Sequence, residues 1–247
     1  MIAYLMLHGS TPAPDALRRC EELVENVPSD RAAQAGIQSA MAILHAMQGE
    51  VETARSLYRG SYAVLTELGA GIVTITSSID SSQVERLAGD LAEAERELRR
   101  DFDALSAIGE SYFRSTIAGL HSRARLLLGD VDGAAASAEL TRALADPDDN
   151  EAQILWRQAE ASVLVERGMG DEAVRLAREA VELTEGTVDL VLRADALVDL
   201  ATILGRIGRG DESGPPLREA LDLYERKGAT VAVARTRRSL EGLAVTP

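Results

Sequence analysis

Residues 113–145 read FRSTIAGLHSRARLLLGDVDGAAASAELTRALA. Upstream of Gly129, the residues Phe113, Ile117, Leu120, Ala124 and Leu128 recur at spacings of three and four, the pattern of a helix with one apolar stripe. Downstream, Ala134, Ala138, Thr141 and Ala145 form a second stripe made of small residues. A glycine at the junction supplies the positive φ that ends the first helix, and the acidic residue after it suits the positive N-terminus of the second. The stretch is therefore a helix–turn–helix unit.

The unit recurs along the chain. Gly9, Gly49, Gly89, Gly129, Gly168 and Gly208 stand 40, 40, 40, 39 and 40 residues apart. Seven residues before these junctions come Ala42, Ser82, Ser122, Ala161 and Ala201, and five after come Ala54, Ala94, Ala134, Ala173 and Ser213. Two columns of small residues let paired helices approach closely. A period of this length marks a repeat array in which each unit buries its apolar face on its neighbours. Gly69, Gly109, Gly186 and Gly228 close most of the second helices, and Asp146, Pro147, Asp148, Asp149 and Asn150 replace that glycine in the third repeat, with the last members able to cap the next helix. The reading predicts twelve or thirteen helices near 1–8, 14–26, 31–48, 51–68, 71–88, 91–108, 110–128, 131–145, 150–167, 171–185, 188–207, 215–227 and 229–244. The run Ile72–Thr76 has strand propensity, but Ile72, Ile75 and Ile79 share a helical face and the repeat phase places a helix there. Pro215 and Pro216 fit only the first turn of a helix.

Composition points the same way. The chain of 247 residues is 46% hydrophobic but only 3% aromatic, which suits helices packed through small contacts rather than a sheet. A net charge of −14 repels a phosphate backbone, so nucleic-acid and anionic-membrane binding are not expected. Cys20 is the only cysteine, which rules out an intrachain disulfide and reads as a small buried helix residue; a cytoplasmic setting is expected. Among 26 basic residues Lys227 is the only lysine, an arginine bias of the kind a GC-rich bacterial genome produces.

The small-residue columns, the Gly-Asp turn and the early alanine of the second helix resemble the tetratricopeptide repeat (TPR) over about residues 31–228. The chain departs from that pattern in its 40-residue length, in lacking the helix-ending proline, and in having His45, Glu85 and Arg125 where tyrosine is usual. The resemblance implies an all-α, right-handed solenoid of antiparallel helix pairs over 1–247, with about five complete repeats, a shortened first helix and a closing helix at 229–244. It also implies a non-catalytic protein-interaction or regulatory scaffold binding a protein, a peptide segment or a sister domain, with small-molecule effector sensing as the alternative. Groove positions carried over by their offset from each glycine are Ser39, Gln83, Arg86, Thr116, Arg123, Gln158, Ser162, Glu166, Asp195, Thr202 and Arg206; on this reading Arg86, Arg123 and Arg206 are available to an acidic or carboxylate-ended segment. The stretches TPAPDALRRCEEL, GDLAEAERELRR and LREALDLYERKGATVAVARTR resemble the C-terminal repeats of actinobacterial multidomain cyclase, ATPase or transcription-regulator proteins. On that reading the chain is a piece of a larger signalling protein. Met1, Ile2, Leu5 and Leu7 then form an uncovered apolar end capable of self-association.

No catalytic, cofactor or metal site emerges. Gly168-x-Gly170-x-x-Ala173 matches a loose dinucleotide fingerprint, but Gly168 is in register with the other helix-pair turns and the repeat explains it. His8, His45 and His121 fall at different phases of three helices and read as partly exposed helix residues. Asp146, Asp148, Asp149 and Glu151 lack the ligand alternation of a calcium loop and read as a solvated turn. Trp156 shares a column with Ile37 and Ile117 and reads as core.

Overall fold

The junction glycines do what their spacing requires. Gly49, Gly89, Gly129, Gly168 and Gly208 have φ between 76° and 89°, a conformation only glycine adopts without strain. The computed structural model describes residues 1–245, and within them the chain forms thirteen α-helices: α1 (Ile2–His8), α2 (Ala13–Asn26), α3 (Arg31–Met47), α4 (Val51–Glu67), α5 (Ser78–Ala88), α6 (Leu91–Ala107), α7 (Tyr112–Leu127), α8 (Val131–Leu144), α9 (Asn150–Glu166), α10 (Gly170–Thr184), α11 (Leu190–Arg206), α12 (Gly214–Lys227) and α13 (Thr230–Val245). Asp90 and Asp130 cap α6 and α8 by accepting from the backbone N–H groups of Glu93 and Gly133, and Asp149 caps α9. Pro215 and Pro216 lie in the first turn of α12.

Both small-residue columns are buried at the contact between paired helices. Where the column holds serine, its hydroxyl reports how close that contact is. Ser122 Oγ donates to the carbonyl of Ala134 at 2.8 Å, and Ser213 Oγ to that of Ala201 at 2.9 Å, so column meets column directly.

Two local expectations need correction. The helix expected over 71–88 is a 3-10 turn at Gly71–Thr76 followed by α5. Positive φ at Gly69 and Gly71 and the stiff β-branched run between them and Ser77 disfavour the α-helix there. Buried Asp101 instead starts α5 by accepting from the Ser78 N–H at 2.8 Å. Gly9, although in phase, is extended at φ −86° and ψ −173° and forms no left-handed cap.

The reason lies at the other end of the chain. Lys227, fully buried at the end of α12, donates from Nζ to the carbonyls of Met6, Gly9 and Thr11 at 2.8, 2.8 and 3.0 Å. Its three ammonium donors satisfy the Met6 carbonyl, whose counterparts the glycine N–H serves at other junctions, and two carbonyls of the turn that follows α1. Close by, Gln48 donates to the Gly228 carbonyl, Thr230 Oγ1 to that of Met47 at 3.2 Å, and His8 pairs with Asp189 at 2.8 Å. One continuous core draws Met6 and Leu7 from α1, Ile43 and Leu44 from α3, Leu197 from α11, and Leu223 and Tyr224 from α12. The first and last repeats pack together, and the solenoid closes. Leu7 is accordingly buried rather than part of an uncovered end, whereas Met1, Ile2 and Leu5 remain exposed.

Candidate functional site

Closure fixes the order of the first helices around a central lumen: α1 packs on α3, α3 on α5, α5 on α7, α7 on α9, α9 on α11, and α11 on α1 again. In that ring α5 and α11 lie opposite each other, and side chains span the space between. Arg86 of α5 pairs with Asp195 of α11 at 3.2 Å, and Arg123 of α7 with Asp199 at 2.9 Å. Tyr224 of α12 donates its hydroxyl to Asp195, and Gln158 of α9 donates to Asp199 at 3.0 Å. Asp195 and Asp199 are one turn apart on α11, so one helix face anchors a brace across the lumen.

The electrostatics separate the two carboxylates. Burial opposes ionisation of Asp195, but Arg86, Arg123 and the Tyr224 hydroxyl together hold its carboxyl below the usual range. Burial and the neighbouring Asp195 push Asp199 upward, offset in part by Arg123. Burial and the Asp195 charge hold the Tyr224 phenol well above its ordinary value, so it stays neutral and donates.

The brace divides the lumen. On one side is a chamber of about 550 Å³, walled by Leu87, Leu126, Leu127, Val165, Val198 and Ile203 and closed along one flank by Ala229, Ala232, Arg235 and Thr236 of the α12–α13 junction and α13. Arg235 extends to the end of α5, where its Nη2 donates to the Leu87 carbonyl at 2.9 Å. On the other side the lumen opens through a wider, acidic cup of about 750 Å³ lined by Tyr4, Tyr112, Asp146, Asp148, Asp149, Glu151 and Asp189. Between them a small void of about 110 Å³ contains Arg86, Arg123 and Asp195 in its wall.

Of the eleven positions inferred from the repeat phase, Gln83, Arg86, Thr116, Arg123, Gln158, Ser162, Asp195, Thr202 and Arg206 line these spaces. Ser39 lies apart and donates to Asp80 at 3.2 Å. Glu166 is held by Arg206. The expectation that Arg86, Arg123 and Arg206 stand available to a partner is corrected, since each is paired with a carboxylate of the chain itself. Sequence reasoning missed Asp199, Tyr224 and Arg235. Asp199 had a usable signal, a second acid one turn from Asp195 on a mostly apolar helix; Tyr224 lies on the second helix α12, outside the first-helix columns that located the groove, and Arg235 had no signal because it meets α5 only through ring closure.

The remaining motifs fall within the repeat framework. Gly168 occupies a helix–helix turn with no strand before it. Each histidine meets a carboxylate: His8 with Asp189, His45 with Glu50, and His121 with Glu95 at 2.9 Å. His121 is buried rather than partly exposed, and burial holds its pKa below the usual value. Cys20 is buried. Trp156 is half-buried against the α10–α11 core, donates to Gln153 and carries Arg157 over its ring. Among the described residues no set of three His, Cys, Asp or Glu side chains is placed to hold a metal ion, and no helix is long and apolar enough to cross a membrane.

No protein-family model matches the chain, and no curated protein matches its sequence. Solved structures do share its fold. BtubC (BKLC) from P. vanneervenii is 15% identical with a TM-score of 0.59, the match covering 95% of this chain and 91% of that one. The apo form of the quorum sensor NprR from B. thuringiensis is 11% identical with a TM-score of 0.58, covering 94% of this chain and 64% of that one. A putative kinesin light chain of Podosopora anserina with nearly identical TPR-like repeats is 18% identical with a TM-score of 0.50, covering 79% and 96%. At these identities the likeness is one of fold, and the chain is a TPR-like helical solenoid.

Proposed function

We propose that the protein is a non-catalytic binding module that takes a short segment of a partner protein, such as a chain end, into the chamber between α5, α7, α11 and α13. The observation that carries this reading is the closed lumen with its cross-brace. An open TPR-like groove offers its whole concave face to an extended segment, whereas here the Arg86–Asp195 and Arg123–Asp199 pairs block the passage and set a chamber of about 550 Å³ apart from the acidic cup. That volume lies within the roughly 300–1,000 Å³ of ligand sites, and its apolar walls with a few convergent polar groups have the usual makeup of one. The chamber's size and largely apolar lining also suit a second reading, in which the occupant is a small effector molecule.

Thr202 separates these readings from a purely structural void, because it is exposed, lines the chamber and bonds only within its own helix. Thr202→Trp places an indole in the chamber and, at this exposed position, should keep the fold. The parent should be stabilised against heat by either the protein fraction or the dialysable low-mass fraction of source-cell lysate, in a saturable way, while Thr202→Trp is not. Activity in the protein fraction supports segment binding; activity confined to the low-mass fraction supports effector sensing. Equal responses from parent and variant sink both. We also propose, from the resemblance to actinobacterial multidomain proteins, that the array is the regulatory part of a larger signalling protein. The genomic sequence upstream of Met1 decides it, an in-frame catalytic or DNA-binding domain supporting the proposal and a native start at Met1 overturning it.

A further inference from the structure

The chamber's charge is opposite to that of the protein as a whole. Against a net charge of −14, its wall carries Arg86, Arg123, Arg206 and Arg235 but only two carboxylates, Asp195 and Asp199. Three of these guanidinium groups have carboxylate partners. The fourth, Arg235, has none among the described residues: only its Nη2 is engaged, and by backbone carbonyls, at 2.9 Å to Leu87 and 3.5 Å to Arg86. Those carbonyls at the end of α5 orient the side chain while leaving most of its five N–H donors available.

We propose that the chamber takes an anionic ligand, with apolar bulk against Leu126, Leu127 and Val198 and its negative group on Arg235. The inference rests on the chamber being a binding site and names the chemistry of its occupant. The electrostatics agree with it, since burial and the repulsion of Arg86 and Arg238 make Arg235 a weaker base than usual, which a bound anion would reverse. Because Arg235 belongs to α13 and its present partners to α5, an anion competing for it also acts on the contact that holds the closing helix in place.

Two fluorescent probes that differ in one charged group test this: anilinonaphthalene sulfonate and the uncharged N-phenylnaphthylamine. The parent should bind the sulfonate at one site per chain, at least about tenfold more tightly than the neutral probe, as one charge-assisted hydrogen-bonded pair permits. Arg235→Met should abolish that preference, and Arg235→Lys should keep part of it. Arg237→Met, on the exposed face beside Glu225, should behave as the parent. Thr202→Trp should exclude both probes. If both probes bind the parent equally, or Arg235→Met retains the preference, the anion inference is overturned while the chamber stands as a site. If neither probe binds the parent, the chamber reading itself falls.

Discussion

Replacing Lys227 by methionine removes the ammonium that joins the two ends of the array while keeping most of the side-chain volume. Three carbonyls, of Met6, Gly9 and Thr11, lose their donor. A buried acceptor left unpaired costs about 1–3 kcal/mol, but α1 is a short terminal helix whose end can draw in water, and the variant no longer buries a charge. The unpaired acceptors set the loss and these two effects reduce it, so the net cost should be about 2–5 kcal/mol. Urea unfolding reads this loss, and hydrogen exchange locates it: amides of residues 2–11 should lose protection first. A pH arm checks the cause. Burial pulls the Lys227 pKa from 10.5 to about 8, so between those values the unfolded chain binds the proton and the folded chain does not. Parent stability should consequently rise relative to the methionine variant as pH increases from 8 towards 9.5, by up to about 1.4 kcal/mol per pH unit. A loss below about 1 kcal/mol with residues 2–11 still protected would refute the closure argument.

Other expectations follow from the packing and the brace. Ala134→Leu should cost about 1–3 kcal/mol in chemical denaturation, because Ala134 is fully buried where the paired helices touch, whereas the same change at exposed Ala143 should be nearly neutral. A double-mutant cycle on Arg86→Ala and Asp195→Ala should give a coupling of about 1–3 kcal/mol, and additive effects would show that the brace carries no energy. His121 is held below the ordinary 6.5 by burial, so acidification through 6.5 protonates the unfolded chain before the folded one and stability is lost. His121→Gln should flatten that acid limb of the stability–pH curve, and an unchanged limb would assign it to other groups.

The repeat was legible because its determinants are local. A glycine every 40 residues, small residues at fixed offsets and two apolar stripes per unit specify helix pairs and their mutual packing without reference to anything distant. The 3-10 turn before α5 was less legible, since the competing influences of Ile72–Thr76 and the repeat phase are decided by Asp101, which lies in the next helix. Closure was not legible at all, because it depends on small rotations between neighbours accumulating until α1 meets α12. One sign of it stood in plain view. In a chain that otherwise uses arginine throughout, the single lysine sits where three carbonyls converge on one point, a task suited to a compact ammonium rather than a planar guanidinium. The site shows the same division: the repeat phase located most of the lumen's lining, but their pairing with one another depends on which helices face each other across it.

An open solenoid is quasi-one-dimensional, able to fray from either end and to nucleate in any repeat. The bonds of Lys227 to carbonyls 216 to 221 residues away make this chain circular in its energetics, since losing either terminal unit exposes the core of the other. Unfolding should then be a single cooperative transition, with no plateau for partly unravelled arrays. Folding should be slower than its helical content suggests, because the last contacts close a loop that encompasses nearly the whole sequence. Such a molecule cannot adjust its groove by gradual stretching as an open spring does; it passes between shut and sprung.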